Sequence, residues 1–145
     1  MDRKEEALKV FESGFNCSQA VLSVFCEELN CDRDLALKIS TGFGGGIRIG
    51  EVCGAVSGAV MALGLKYGHT IEGDTETKSK AYSLTKEFIN RFEEKNGTIV
   101  CKKLLGYDLS NQEEYEYLLD KGIFKNMCPV FIKDAIDILD AMFSE

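Results

Sequence analysis

Histidine, proline and alternating β-branched residues are nearly missing from this chain, and each shortage closes off a class of answer. His69 is the only histidine among 145 residues. A Ser-His-Asp triad or a histidine-rich metal cage therefore has almost nothing to draw on, and scattered carboxylates supply no acid–base constellation in its place. A mixed Cys/His zinc site has one histidine at most. Pro129 is the only proline, which leaves helices elsewhere unbroken. No β-branched run is long enough for a sheet. Only Ile47-Arg48-Ile49 and Thr98-Ile99-Val100 read as short extended pieces.

Positive charge and long apolar runs are also in short supply. Seventeen basic residues face 24 acidic ones, for a net charge of −7. Nucleic-acid binding needs clustered Lys and Arg, so a nucleic-acid partner is excluded. The longest nearly uncharged apolar run is Val52 to Leu65, 14 residues. A membrane span needs about 20, so this run reads as a core helix and no membrane insertion is expected. The charged N-terminus MDRKEEALKVFESG has no apolar signal core. The expected compartment is cytoplasmic and reducing, where cysteines serve as metal ligands, redox thiols or core residues more often than as structural disulfides.

What is present is helical patterning. The spacing predicts helices over about 2–13, 17–29, 33–41, 52–67, 74–95, 99–105 and 113–121. A last helix is expected to begin at Cys128-Pro129, with proline in the first turn, and to run to about 142. Asn16 and Asp32 read as N-caps, and Gly14, Gly97, Gly106 and Gly122 as stops. Residues 42–50 read as a loop. With no Ser/Gly/Pro-rich linker, residues 1–145 are expected to form one all-α domain, a bundle of seven to eight helices without significant sheet. Apolar content is 45%, and a chain this long buries roughly 68–70% of its extended surface, so no staple is required.

The six cysteines are therefore not explained by stability. Cys17, Cys53, Cys101 and Cys128 each fall at an expected helix N-terminus. Unpaired N–H groups and aligned peptide dipoles make such ends partially positive. One helix end is expected to lower a thiol pKa from about 8.5 to about 7.8. Cys26, within the second helix, and Cys31, in a turn, read as structural. No pair is C-x-x-C, which removes zinc ribbons, thioredoxin-like motifs and ferredoxin runs.

Glycines surround the second of the four. Gly42-Phe-Gly-Gly-Gly-Ile-Arg-Ile-Gly50 satisfies neither G-x-x-x-x-G-K-[ST] nor G-x-G-x-x-G. Gly44, Gly45 and Gly46 can still bring backbone close to a cofactor or form an anion nest beside Arg48. Gly54, Gly58 and Ala62 make a flat helix face. That face suits either close helix packing or room for a bulky inorganic group beside Cys53.

Together these residues resemble a known family, the redox-active proteins named for the pattern C_GCAxxG_C_C. Cys17 in Gly14-Phe-Asn-Cys-Ser-Gln-Ala20 matches its first cysteine. Cys53-Gly-Ala-Val-Ser-Gly58 matches the central motif, although the label places glycine before cysteine. Cys101 in Ile99-Val-Cys-Lys-Lys-Leu-Leu-Gly106 and Cys128 match the last two, and Cys26 and Cys31 lie outside. The resemblance implies a small redox protein without a settled substrate, and it selects the same four cysteines. The expectation is that they converge on one site and ligate an iron–sulfur cluster for electron transfer to a redox partner protein. Two alternatives stay open: thiol–disulfide chemistry among the same cysteines, and an accessory or interaction module, which could self-associate as a homodimer, holding structural zinc.

Overall fold

The computed structural model describes residues 1–145 and contains eight α-helices and no sheet. They are α1 (Arg3–Glu12), α2 (Cys17–Ser23), α3 (Arg33–Ser40), α4 (Gly54–Tyr67), α5 (Thr75–Asn96), α6 (Cys101–Leu105), α7 (Gln112–Asp120) and α8 (Ile123–Phe143). No helix is long and apolar enough to cross a membrane.

Side-chain caps fix where most of these helices begin. Asp2, Asp32, Asp74 and Asn111 each accept a hydrogen bond from a backbone N–H in the first turn. Such a cap contributes about 1 kcal/mol. At α2 the cap is reciprocal: Asn16 accepts from the Gln19 N–H at 2.9 Å while the Gln19 side chain accepts from the Asn16 N–H at 2.9 Å. The same two side chains reach α3 and the turn after it. Gln19 Nε2 donates to the Leu37 carbonyl at 2.9 Å, and Asn16 Nδ2 donates to the Thr41 carbonyl at 2.8 Å. The N-terminus of α2 is thereby held in place from both sides.

Helix α4 is apolar nearly all round and lies at the centre, packed on α2, α5 and α8. Thirty buried residues form one contiguous core, with Phe25, Phe88, Phe92, Ile132, Ile136 and Leu139 among its largest members. At Gly58 a Cβ would stand 2.6 Å from the Ser18 carbonyl oxygen. The missing side chain is what lets the α2 and α4 backbones approach so closely, which offsets the cost of about 1 kcal/mol for a helical glycine.

Three elements differ from the sequence expectation. Helix α2 stops at Ser23 rather than near 29, because residues 24–30 turn, with Asn30 left-handed at φ 55°. Helix α8 begins at Ile123, directly after Gly122 (φ 63°), so Cys128 and Pro129 lie inside it and not at its start. The apolar face formed by Phe124, Cys128, Phe131, Ile132 and Ala135 carries the helix through the proline. Finally, Ile47-Arg48-Ile49 is not extended. Gly45, Gly46, Ile47 and Arg48 have φ of 65°, 65°, 56° and 63°, a left-handed turn closed by the Glu51 N–H on the Gly46 carbonyl at 2.9 Å. Glycine takes that region freely, but Ile47 and Arg48 do so at roughly 1–2 kcal/mol each.

Candidate functional site

Cys17, Cys53, Cys101 and Cys128 border a single cavity of about 120 Å³. Different elements supply each sulfur. Cys17 is the first residue of α2, Cys53 immediately precedes α4, Cys101 opens α6, and Cys128 faces inward from the second turn of α8. The four side chains are between 4% and 8% exposed.

A minimal antiparallel pairing joins two of them. Val52 bridges Val100, the Cys53 N–H donates to the Ile99 carbonyl at 2.7 Å, and the Cys101 N–H donates to the Glu51 carbonyl at 2.6 Å. Of the two pieces expected to be extended, Thr98-Ile99-Val100 takes part in this bridge. Its partner is Glu51-Val52-Cys53 rather than Ile47-Arg48-Ile49.

The rest of the lining is mostly apolar. Phe11, Leu104, Leu105, Phe124 and Phe131 enclose the sulfurs, and Asn16, Arg48 and Tyr115 are the polar members. Arg48 spans the strained turn and α7: its guanidinium donates to the Gly44 carbonyl at 3.0 Å and to the Tyr115 hydroxyl at 3.2 Å. Strain at a ligand-lining position often accompanies function, since the surrounding structure must over-determine it. The sequence offers Arg48 only as a neighbour of the glycines, and nothing in it draws attention to Tyr115 on α7 or Phe124 on α8. These two reach the cavity through the early start of α8 and the Arg48 bridge.

The five glycines divide by role. Gly45 borders the cavity. A Cβ on Gly54 would overlap Cys17 Sγ, one on Gly46 would stand 2.9 Å from the Cys101 Cβ, and one on Gly44 would overlap the Asn16 side chain. These three back the cysteine-bearing segments. Gly58 lies away from the cavity, against Ser18.

Burial decides the protonation of the thiols. It pushes Cys17 up, and the backbone N–H groups of Gly45, Ser18, Cys17 and Gly54 pull in the opposite direction without winning. Cys101 is pushed up to about 12 by burial first and the Cys17 thiol second, while the Arg48 guanidinium opposes. Cys53 is raised by burial, with Cys17 and Cys101 adding to it and the N–H groups of Ala55 and Val56 opposing. Cys128 is raised by burial and then by all three of its fellow thiols. The expected lowering at helix N-termini is thus present at Cys17 and Cys53 and overridden. A dipole term of about 0.3–1 kcal/mol cannot match removal of a thiolate from water. At Cys128 it is absent, since that residue is not at a helix start.

All six cysteines are free, and no three His, Cys, Asp or Glu side chains are gathered closely enough to hold a single metal ion. The four sulfurs share a cavity wider than one ion requires.

The chain matches the model of the family described as "Putative redox-active protein (C_GCAxxG_C_C)" over residues 15–142. It belongs to that family. The matched span contains every cysteine and every cavity-lining residue except Phe11. No curated protein and no solved structure matches the chain.

Proposed function

We propose that this member of the redox-active family carries an iron–sulfur cluster on Cys17, Cys53, Cys101 and Cys128 and transfers electrons with it. The observation that carries the reading is the donor set: four buried thiols from four separate elements border one cavity, and no histidine or carboxylate borders it. Thiolates are the usual ligands of such clusters, which supply reversible one-electron exchange. A single zinc fits less well, because it needs four sulfurs at about 2.3 Å from one point, and no such gathering exists. Thiol–disulfide exchange needs at least one thiol open to the attacking or attacked reagent, and none of these four is more than 8% exposed.

The chain's own residues define what the site does. The four thiols give up their protons on ligation, so loading is coupled to proton release. The N–H groups directed at Cys17 and Cys53 and the Arg48 guanidinium near Cys101 then offset thiolate charge. Gly54 leaves room for Cys17 Sγ, and the aromatic and leucine wall excludes water, lowering the local dielectric so that these few positive groups act strongly.

Protein purified without oxygen is expected to be brown, with iron and acid-labile sulfide in comparable amounts. Serine at any one of the four positions should lower both, whereas Cys31→Ser should not. Colourless protein that gains nothing on reconstitution with iron and sulfide would sink the proposal.

A further inference from the structure

Two cysteines remain outside this centre, and the fold has brought them together. Helix α2 ends at Ser23, and the following turns place Cys26 and Cys31 side by side: the Cys31 N–H donates to the Cys26 carbonyl at 2.9 Å. Covalent geometry then keeps their Cα atoms within roughly 6.8 Å. Disulfides form at about 4.4–6.8 Å. Neither thiol is tied to the other by a hydrogen bond: Cys26 Sγ donates to the Leu22 carbonyl and Cys31 Sγ to the Asp32 carbonyl, each at a long 3.6 Å that leaves both sulfurs free to turn toward one another. Left-handed Asn30 (φ 55°) makes this turn tight. Arg3 braces it, pairing with Glu28 at 3.1 Å and lying over the Phe25 ring. Cys26 is 3% exposed, whereas Cys31 is only half-buried and open to reagents.

We propose that Cys26 and Cys31 are a second redox site, a dithiol that a low-molecular-weight disulfide converts to an intramolecular disulfide. Cys31 reacts first. Its thiolate bonds to one sulfur of the small disulfide, and the other sulfur leaves and is protonated as a thiol. Cys26, as thiolate, then attacks Cys31 Sγ, displacing the second half, which also leaves as a thiol. The two protein thiols are oxidised, the small disulfide is reduced to two thiols, and the two protons end on those products. The order follows from access. Burial, and after it the Cys31 thiol itself, hold Cys26 protonated, so converting Cys31 to a mixed disulfide removes one of the groups that keep Cys26 inactive. Helix α2 puts about 10 Å of helix axis between Cys17 and this pair, neither Cys26 nor Cys31 borders the four-cysteine cavity, and the proposal stands whether or not that cavity holds a cluster.

The test is titration of the anaerobically isolated protein with oxidised glutathione, followed by alkylation and mass spectrometry. Cleavage at Glu27 and Glu28 separates the two cysteines, so their linkage survives only as a disulfide-joined pair of peptides. Wild type should lose two alkylatable thiols and retain no glutathione. Cys26→Ala should stop with one glutathione on Cys31, and Cys31→Ser should leave Cys26 alkylatable and without adduct. Circular dichroism checks that both variants fold, and Cys26→Ser stands in for Cys26→Ala if the latter does not. The proposal is overturned if wild type keeps both thiols in excess oxidised glutathione. It is equally overturned if the mixed disulfide at Cys31 accumulates without closing, or if Cys26 takes the adduct in Cys31→Ser.

Discussion

Single residues set how sulfur is accommodated here, and two glycines one helical turn apart show it best. A methyl group at Gly54 runs into Cys17 Sγ, while one at Gly58 runs into the Ser18 carbonyl. Gly58→Ala must therefore push α2 from α4 and should cost about 1–3 kcal/mol in a denaturant melt. Gly54→Ala should reduce iron per folded molecule by at least half, because its methyl group displaces Cys17 Sγ besides crowding the Gly44 Cα and the Ser18 backbone nitrogen at 3.1 Å. Equal iron content in the two variants would contradict this division. The sequence presents both glycines as one flat face, with packing and cofactor space as rival explanations. Only coordinates separate them, since the deciding neighbours belong to α2, tens of positions away. Arg48 was similarly hidden: its direction depends on four successive left-handed residues, and no local propensity predicts Ile47 at φ 56°.

At the level of helices, caps were readable and proline misled. Asn16, Asp32 and Gly97 end or begin helices where their chemistry says they should. Pro129 also has a favoured place, the first helical turn, but α8 overrides it by starting at Ile123, directly after Gly122. The consequence is a proline inside a helix, which denies the Lys125 carbonyl its partner and disfavours helical backbone at Cys128, the preceding residue. Pro129→Ala should restore that hydrogen bond and stabilise the protein by about 1–2 kcal/mol, after allowing for the stiffer unfolded chain that proline provides. Amide exchange over residues 123–128 should slow in parallel. A lower melting temperature for the variant would show that the proline is matched to its surroundings rather than tolerated. The early end of α2 was equally illegible, because Val24, Phe25 and Leu29 continue an apolar pattern while the backbone has already turned.

Across the whole molecule, the cost of burying sulfur appears as a dependence on pH. Cys17, Cys53, Cys101 and Cys128 all have folded pKa values above those of exposed thiols. For such groups the protonated native state is favoured fully below the unfolded value of about 8.5, and the advantage disappears as pH climbs toward the folded values. Each thiol then removes about 1.4 kcal/mol per pH unit. Four together would exhaust a typical stability of about 5–15 kcal/mol within a few units. Metal-free protein should accordingly lose its urea midpoint steeply between pH 9 and 11, and a flat profile would mean that the sulfurs are hydrated. The all-helical class was legible from patterning and from the absence of alternating strands. The meeting of four distant cysteines in one cavity was not, since spacing along a chain carries no distance across a bundle. How that meeting tolerates change is visible in the two hydrogen bonds flanking Val52 and Val100. They pin the mouth of the long α4–α5 excursion shut, so the stretch between Cys53 and Cys101 can gain or lose turns at its far end, around residues 68–74, while the interval between the two sulfurs stays the same.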